Sequence, residues 1–205
     1  MWDTRRSKKR MSIKRGFTRS EVLGVIAILA AIGGLALFNF QSARVKARDE
    51  QRKANARAIV NALEQYHKDV GNFPLSSNDG KLMACKGVGG DLPALSAQAG
   101  QAGVIPCEWG VDKLVNPSDA SAAAYLNPIP LDPKQGQGFS SFYLSNGSTF
   151  QIFASLESRN DPERSTVIER WGLVCGRVVC NHGITLSRAP VKELLKVTES
   201  EELKP

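Results

Sequence analysis

At 205 residues the chain is long enough for one domain with its own core plus an appendage. Its 42% hydrophobic and 23% charged composition resembles a soluble protein on average, but the apolar residues are clumped. The charge is clumped too: residues 1–16 hold seven Lys or Arg against Asp3, so +6 of the net +7 lies in a basic leader, which removes most of the support for a protein-wide nucleic-acid surface.

Taken in chain order, the first signal is KRGFTRSEVLGVIAILAAIGG, residues 14–34, where Glu21 stands at the edge of an apolar run. From Val22 to Ala43, 22 positions carry no charged residue. A helix of that length covers roughly 33 Å, enough for a bilayer core, so the run predicts a membrane-spanning helix. A buried core helix is one rival, but a small chain has little protein to surround it. A secretory signal peptide is the other. Its apolar region is shorter, about 7 to 15 residues, and a carboxylate at its start is foreign to it.

The helical pattern continues from Arg44 to Val70 without proline or glycine. Ala56, Ile59, Leu63, Tyr66 and Val70 recur at steps of three and four and form one apolar stripe. Arg44, Lys46, Arg48, Arg52, Lys53 and Arg57 are expected to face elsewhere. Gly71-Asn72-Phe73-Pro74 is a stop signal. The expected helix runs from about residue 18 to 70 and is roughly 80 Å long.

Beyond it, residues 75–120 read as loop, rich in Gly, Ala and Ser, and YLNPIPLDPKQGQG has prolines too closely spaced for a helix. FSSFYLS and TFQIFASL flank Asn146-Gly147, which predicts a β-hairpin with Phe150, Ile152, Ala154 and Leu156 alternating. TVIERWGLVC to about Leu186 is expected to supply one or two more strands, and VTESEELKP reads as a frayed charged tail. The predicted class is α+β: a long N-terminal helix, membrane-spanning then amphipathic, packed on a small antiparallel sheet.

The Gly16-Phe17-Thr18-x-x-Glu21 junction after Lys14-Arg15, joined to such a helix, resembles the type IV pilins and their secretion relatives, the pseudopilins. ARDEQRKANARAIVNALEQYHKDVGNFP and YLNPIPLDP with its aromatic hairpin are similar to the major pseudopilins of type II secretion. Arg19 and Ser20 depart from the family's Leu-Ile, and Phe38 stands where a proline is common. The resemblance implies a pilin-like fold and a division into leader 1–16, membrane helix 17–43, amphipathic helix 44–74, loop 75–124, β-region 125–190 and tail 191–205. It also implies cleavage by prepilin peptidase between Gly16 and Phe17, N-methylation of Phe17, and an assembly role for Glu21 opposite the new amine. An interfacial carboxylate reaching water is the plainer reading of Glu21. With seven basic residues in the leader and six over 44–57, the charge count barely sets orientation; the resemblance places the leader in the cytoplasm.

Cys85, Cys107, Cys175 and Cys180 form an even set, and an extracytoplasmic body makes disulfides the default. Of three pairings, Cys85–Cys107 and Cys175–Cys180 are preferred, because sequence neighbours meet most easily. Zinc at Cys180 and His182, or a Cys180/His182 nucleophile, has weaker spacing. His67 reads as a packing or solvated residue, and the NGS at 146 as turn chemistry rather than a glycosylation site. Major pseudopilins often bind calcium in the β-region. The best oxygen cluster here is Asn160, Asp161 and Glu163, with a solvated acidic turn as the alternative. The basic run 44–57 offers contacts to anionic headgroups, to neighbouring subunits or, least of all, to DNA.

The reading is a non-enzymatic subunit of a type II secretion pseudopilus or type IV pilus-like filament, with no cofactor except possible calcium. It is expected to be a single-pass inner-membrane protein that enters an envelope or surface filament. Its partners would be copies of itself, membrane lipids, prepilin peptidase, an assembly ATPase and a platform membrane protein. A surface pilus for adhesion, motility or DNA uptake is the alternative within the class. A membrane-anchored binding domain that never polymerises is the alternative outside it.

Overall fold

A computed structural model describes residues 18–85, 104–117, 119 and 123–196, the side chains of 35–39 excepted. The expected leader, Gly16 and Phe17, the side chain of Phe38, the middle of the 75–124 loop and the tail from 197 lie outside the described residues.

The first element is helix α1, Arg19–Val70. Its C-terminus closes where the stop signal stands: Gly71 takes φ +89°, and its N–H donates to the His67 carbonyl at 2.8 Å. That left-handed cap suits glycine.

The chain divides into two compact units, Met1–Ala43 and Arg44–Pro205. In the first, Leu23, Val25, Ile26, Ile28, Leu29 and Ile32 are all exposed. No described residue of the unit covers them. Among the described residues no helix is long and apolar enough to cross a membrane. The side chains of 35–39 fall inside the run expected to span.

In the second unit α1 continues as the wall of a core. Ile59, Val60, Leu63 and Tyr66 join one buried cluster with Tyr143, Phe150, Ile152 and Ile184. These last four come from a sheet of β4 (Phe142–Ser145), β5 (Phe150–Ala154) and β8 (His182–Thr185), ordered β4-β5-β8 and antiparallel throughout. Tyr143, Ile152 and Ile184 stand in register across it. The expected hairpin is β4–β5, and Asn146 Oδ1 accepts the N–H groups of Ser148 and Thr149 at 3.1 Å each. Every residue of β5 is buried, because its second face is covered too: Phe153 packs with Ile168, Cys175, Cys180 and Val191.

Two segments differ from the sequence reading. The stretch read as loop carries a small antiparallel sheet of β1 (Leu75–Ser76), β2 (Leu82–Cys85) and β3 (Ile105–Pro106). The stretch from TVIERWGLVC to about Leu186, expected to supply one or two strands, opens instead with the short helix α2, Thr166–Arg170, before its strands begin. Ser165 caps it, its side chain accepting the Ile168 N–H, and Ile168 is buried on the sheet. A cap plus one well-packed anchor outweighs strand propensity over five residues.

Between α2 and β8 lies a two-stranded ribbon, β6 (Val174–Cys175) and β7 (Val178–Val179). Gly176 at its tip has φ +81°, and a Cβ there would come 2.3 Å from the Gly138 carbonyl oxygen, so only glycine fits.

Candidate functional site

The start of α1 is built around Glu21. Its Oε2 accepts the Thr18 backbone N–H at 2.7 Å and the Thr18 hydroxyl at 2.8 Å. Thr18 Oγ1 in turn accepts the Glu21 N–H at 3.3 Å. This is a reciprocal capping box, and the signal for it, Thr18-x-x-Glu21, stands in the sequence. Glu21 therefore has a local task that sequence reasoning missed: it satisfies donors at the helix start.

The second constellation lies where α1 meets the loops that precede and follow the hairpin. Going back from Ala56 by helical steps, the inward stripe continues through Lys53, Arg52 and Asp49, and there it turns from apolar to charged. Arg48, Arg52 and Lys53, expected to face away from the stripe, are directed into the protein; the side chain of Arg52 is 1% exposed and that of Lys53 is 4%.

Arg52 donates Nε and Nη2 to the two oxygens of Asp132, at 2.7 and 3.1 Å. Its Nη1 bonds Asp49 Oδ1 and Glu157 Oε1, each at 2.8 Å. Its guanidinium lies 4.6 Å from the Phe139 ring centroid. Glu157 also takes a bidentate pair from Arg48, both at 2.7 Å, and Lys134 Nζ at 2.8 Å. Asp49 accepts the backbone N–H groups of Glu157 and Ser158, at 2.9 and 2.8 Å. The lattice thus clamps the loop after β5 to the helix. One turn on, Lys53 Nζ lies 2.6 Å from Glu50, 3.1 Å from Asp161 and 3.6 Å from Glu163, and Arg57 reaches Glu163 at 3.1 Å.

The Arg48 bond, seconded by Lys134 and Arg52, holds the Glu157 carboxyl far below its ordinary value of 4.5. Burial opposes the charge of Arg52, but its bonds to Asp132, Glu157 and Asp49 outweigh that and raise its pKa. His182 lies beside this cluster on β8. Its Nδ1 pairs with the Glu163 carbonyl at 3.1 Å, so that nitrogen carries the proton; Nε2 is buried without a partner. Burial lowers the His182 pKa from 6.5.

These directions fix the sign of a pH effect. For both groups the unfolded chain takes up the proton first. The His182 contribution is full above its ordinary 6.5 and is lost as pH falls toward its lower folded value. The Glu157 contribution is full above 4.5 and is lost below it. The thermal midpoint, followed by circular dichroism, should decline from pH 6.5 downward and more steeply below 4.5. A midpoint that rises on acidification contradicts the assignment.

The structure joins Cys85 to Cys107 and Cys175 to Cys180, each with Cα atoms 5.1 Å apart. Cys180 consequently offers no thiolate to zinc or to a nucleophile pair with His182. Each bond contributes about 2 to 4 kcal/mol in the chain-entropy account. Digestion without reductant should yield two linked peptides of these pairs by mass spectrometry; free thiols or crossed pairs contradict the structure.

Among curated proteins, the chain is 31% identical over 122 residues to type II secretion system core protein G of Escherichia coli (strain K12). The match covers 57% of this chain and 82% of that protein. The chain belongs to the pseudopilin and type IV pilin family. No family model matches it, and no solved structure does.

For a member of this family the remaining candidates fall as follows. Gly16 and Phe17 lie outside the described residues. Asn160 is exposed, while Asp161 and Glu163 turn toward Lys53. Among the described residues no group of three or more His, Cys, Asp or Glu is arranged to hold a metal ion. His67 stacks on Phe73 with centroids 4.4 Å apart, a packing role. Asn146 of the NGS triplet serves the hairpin turn.

Proposed function

We infer that this pseudopilin is a structural, non-enzymatic subunit of a type II secretion pseudopilus that supports protein export. The observation that carries the reading is the match to core protein G together with the Gly16-Phe17-Thr18-x-x-Glu21 junction. Prepilin peptidase removes residues 1–16, and Phe17 receives a methyl group on its new amine. Val22–Ala43 anchors the chain in the inner membrane before assembly, with the body outside the cytoplasm. The aliphatic side chains that the chain leaves exposed on α1, Leu23 to Ile32, are then covered by lipid and afterwards by neighbouring subunits.

Glu21 guides a subunit into the filament by pairing with the amine of a neighbouring Phe17. An assembly ATPase and a platform membrane protein supply the force. Deleting the gene in the native host tests the role. Exported proteins should accumulate in the periplasm while surface pili persist. Normal export with lost pili would assign the chain to a surface pilus. Normal export and normal pili would leave a membrane-anchored domain outside both machines.

A further inference from the structure

We propose that the Lys53 ammonium is the resident cation of the acidic turn at 160–163, and that this turn binds no divalent metal. The sequence offers Asn160, Asp161 and Glu163 as calcium ligands, and the family makes calcium the expected occupant. The side-chain arrangement fits a different cation. Lys53 Nζ stands among three carboxylates: Glu50 from its own helix at 2.6 Å, and Asp161 at 3.1 Å and Glu163 at 3.6 Å from the turn.

Calcium takes six to eight oxygens at about 2.3–2.6 Å. Both Asp161 oxygens are already engaged: Oδ2 accepts Lys53 at 3.1 Å, and Oδ1 accepts the Glu163 backbone N–H at 2.9 Å. Glu163 is shared between Lys53 and Arg57. A divalent ion at this turn would sit within a few ångströms of an ammonium whose side chain is 4% exposed, and the two positive charges would repel. Among the described residues, the buried side-chain nitrogen beside the cluster without a partner is His182 Nε2, a poor ligand for calcium, which prefers oxygen. The helix thus supplies, as a covalently tethered monovalent charge, what a bound metal supplies elsewhere: it gathers the carboxylates of the turn and pins it to α1. A tethered cation is present at every calcium concentration, so the fold of this region does not respond to the metal. The inference is independent of filament assembly.

The test uses the full chain in detergent micelles, with unfolding followed by near-ultraviolet circular dichroism in chelator, in millimolar calcium and in magnesium as control. The wild-type midpoint should be the same in all three. Lys53→Gln should melt several degrees lower in chelator and regain part of the loss in calcium, because Glu50 and Asp161 then lose the cation that faces them. Lys53→Arg, which keeps the charge, should stay closer to wild type than Lys53→Gln. A wild-type midpoint that climbs in calcium but not in magnesium overturns the proposal. So does a Lys53→Gln midpoint equal to wild type, or a Lys53→Arg loss as large as that of Lys53→Gln.

Discussion

Replacing Glu21 with Val should remove the chain from sheared filaments when the variant is the only copy, while leaving insertion and leader cleavage intact. Insertion should not suffer, because the change deletes a charge at the edge of an apolar run. Cleavage should not suffer, because peptidase recognition is expected to rest on Gly16, whose small size lets the backbone enter a narrow site. Gly16→Val should therefore give the opposite defect, an uncleaved precursor held in the membrane. The capping box adds a control. Glu21 also bonds Thr18 through its backbone N–H and hydroxyl, and a capping box accepts Gln in place of Glu. Glu21→Gln thus keeps the cap and removes the charge. If the carboxylate docks on a neighbouring amine, Gln should fail in filaments as Val does. If Gln assembles normally and Val does not, Glu21 matters as a helix cap and the docking role is lost. N-terminal sequencing and filament recovery separate the cases.

Replacing Arg52 with Met should cost about 3 to 5 kcal/mol, the range for breaking a buried ion pair by removing one partner. The reason lies in what is left behind. Asp49, Asp132 and Glu157 all face the Arg52 guanidinium, and Asp49 and Asp132 are buried. Without it, buried carboxylates lose their counter-charge. For a domain of this size the loss corresponds to a fall in thermal midpoint of about 6 to 20 °C. Arg52→Lys should fall between, since an ammonium keeps the charge but cannot make the paired bonds to Asp132. A loss of under about 1 kcal/mol for Arg52→Met, the scale of an exposed pair, would show that the lattice contributes little.

The contrast between these two sites shows what a sequence reveals. Signals carried by neighbouring residues were readable. The helix expected over about 18–70 is Arg19–Val70, and the hairpin turns where Asn146-Gly147 stands. Both disulfides join the pairs closest in sequence. The charge lattice was not readable in the same way. Two of the three carboxylates on Arg52, Asp132 and Glu157, lie 80 and 105 residues away, and nothing local names them. A clue was nonetheless present, because the stripe through Ala56, Ile59 and Leu63 extends backward onto Asp49, Arg52 and Lys53. Charged residues on the inward face of a helix require buried partners. Taken by its charge alone, the basic run suggests a surface for lipids, neighbours or DNA. TVIER is a related case: its β-branched residues favour strands, but the Ser165 cap and the burial of Ile168 make it a helix.

The most direct test of the central claim is mass spectrometry of the N-terminal peptide of this chain, recovered from filaments sheared from the native host. The account predicts a peptide that begins at Phe17, carries one methyl group on its amine and contains Glu21 unmodified, from chains that sediment with fibres. Chains found only in the membrane fraction, or fibre-borne chains that still carry residues 1–16, would contradict it.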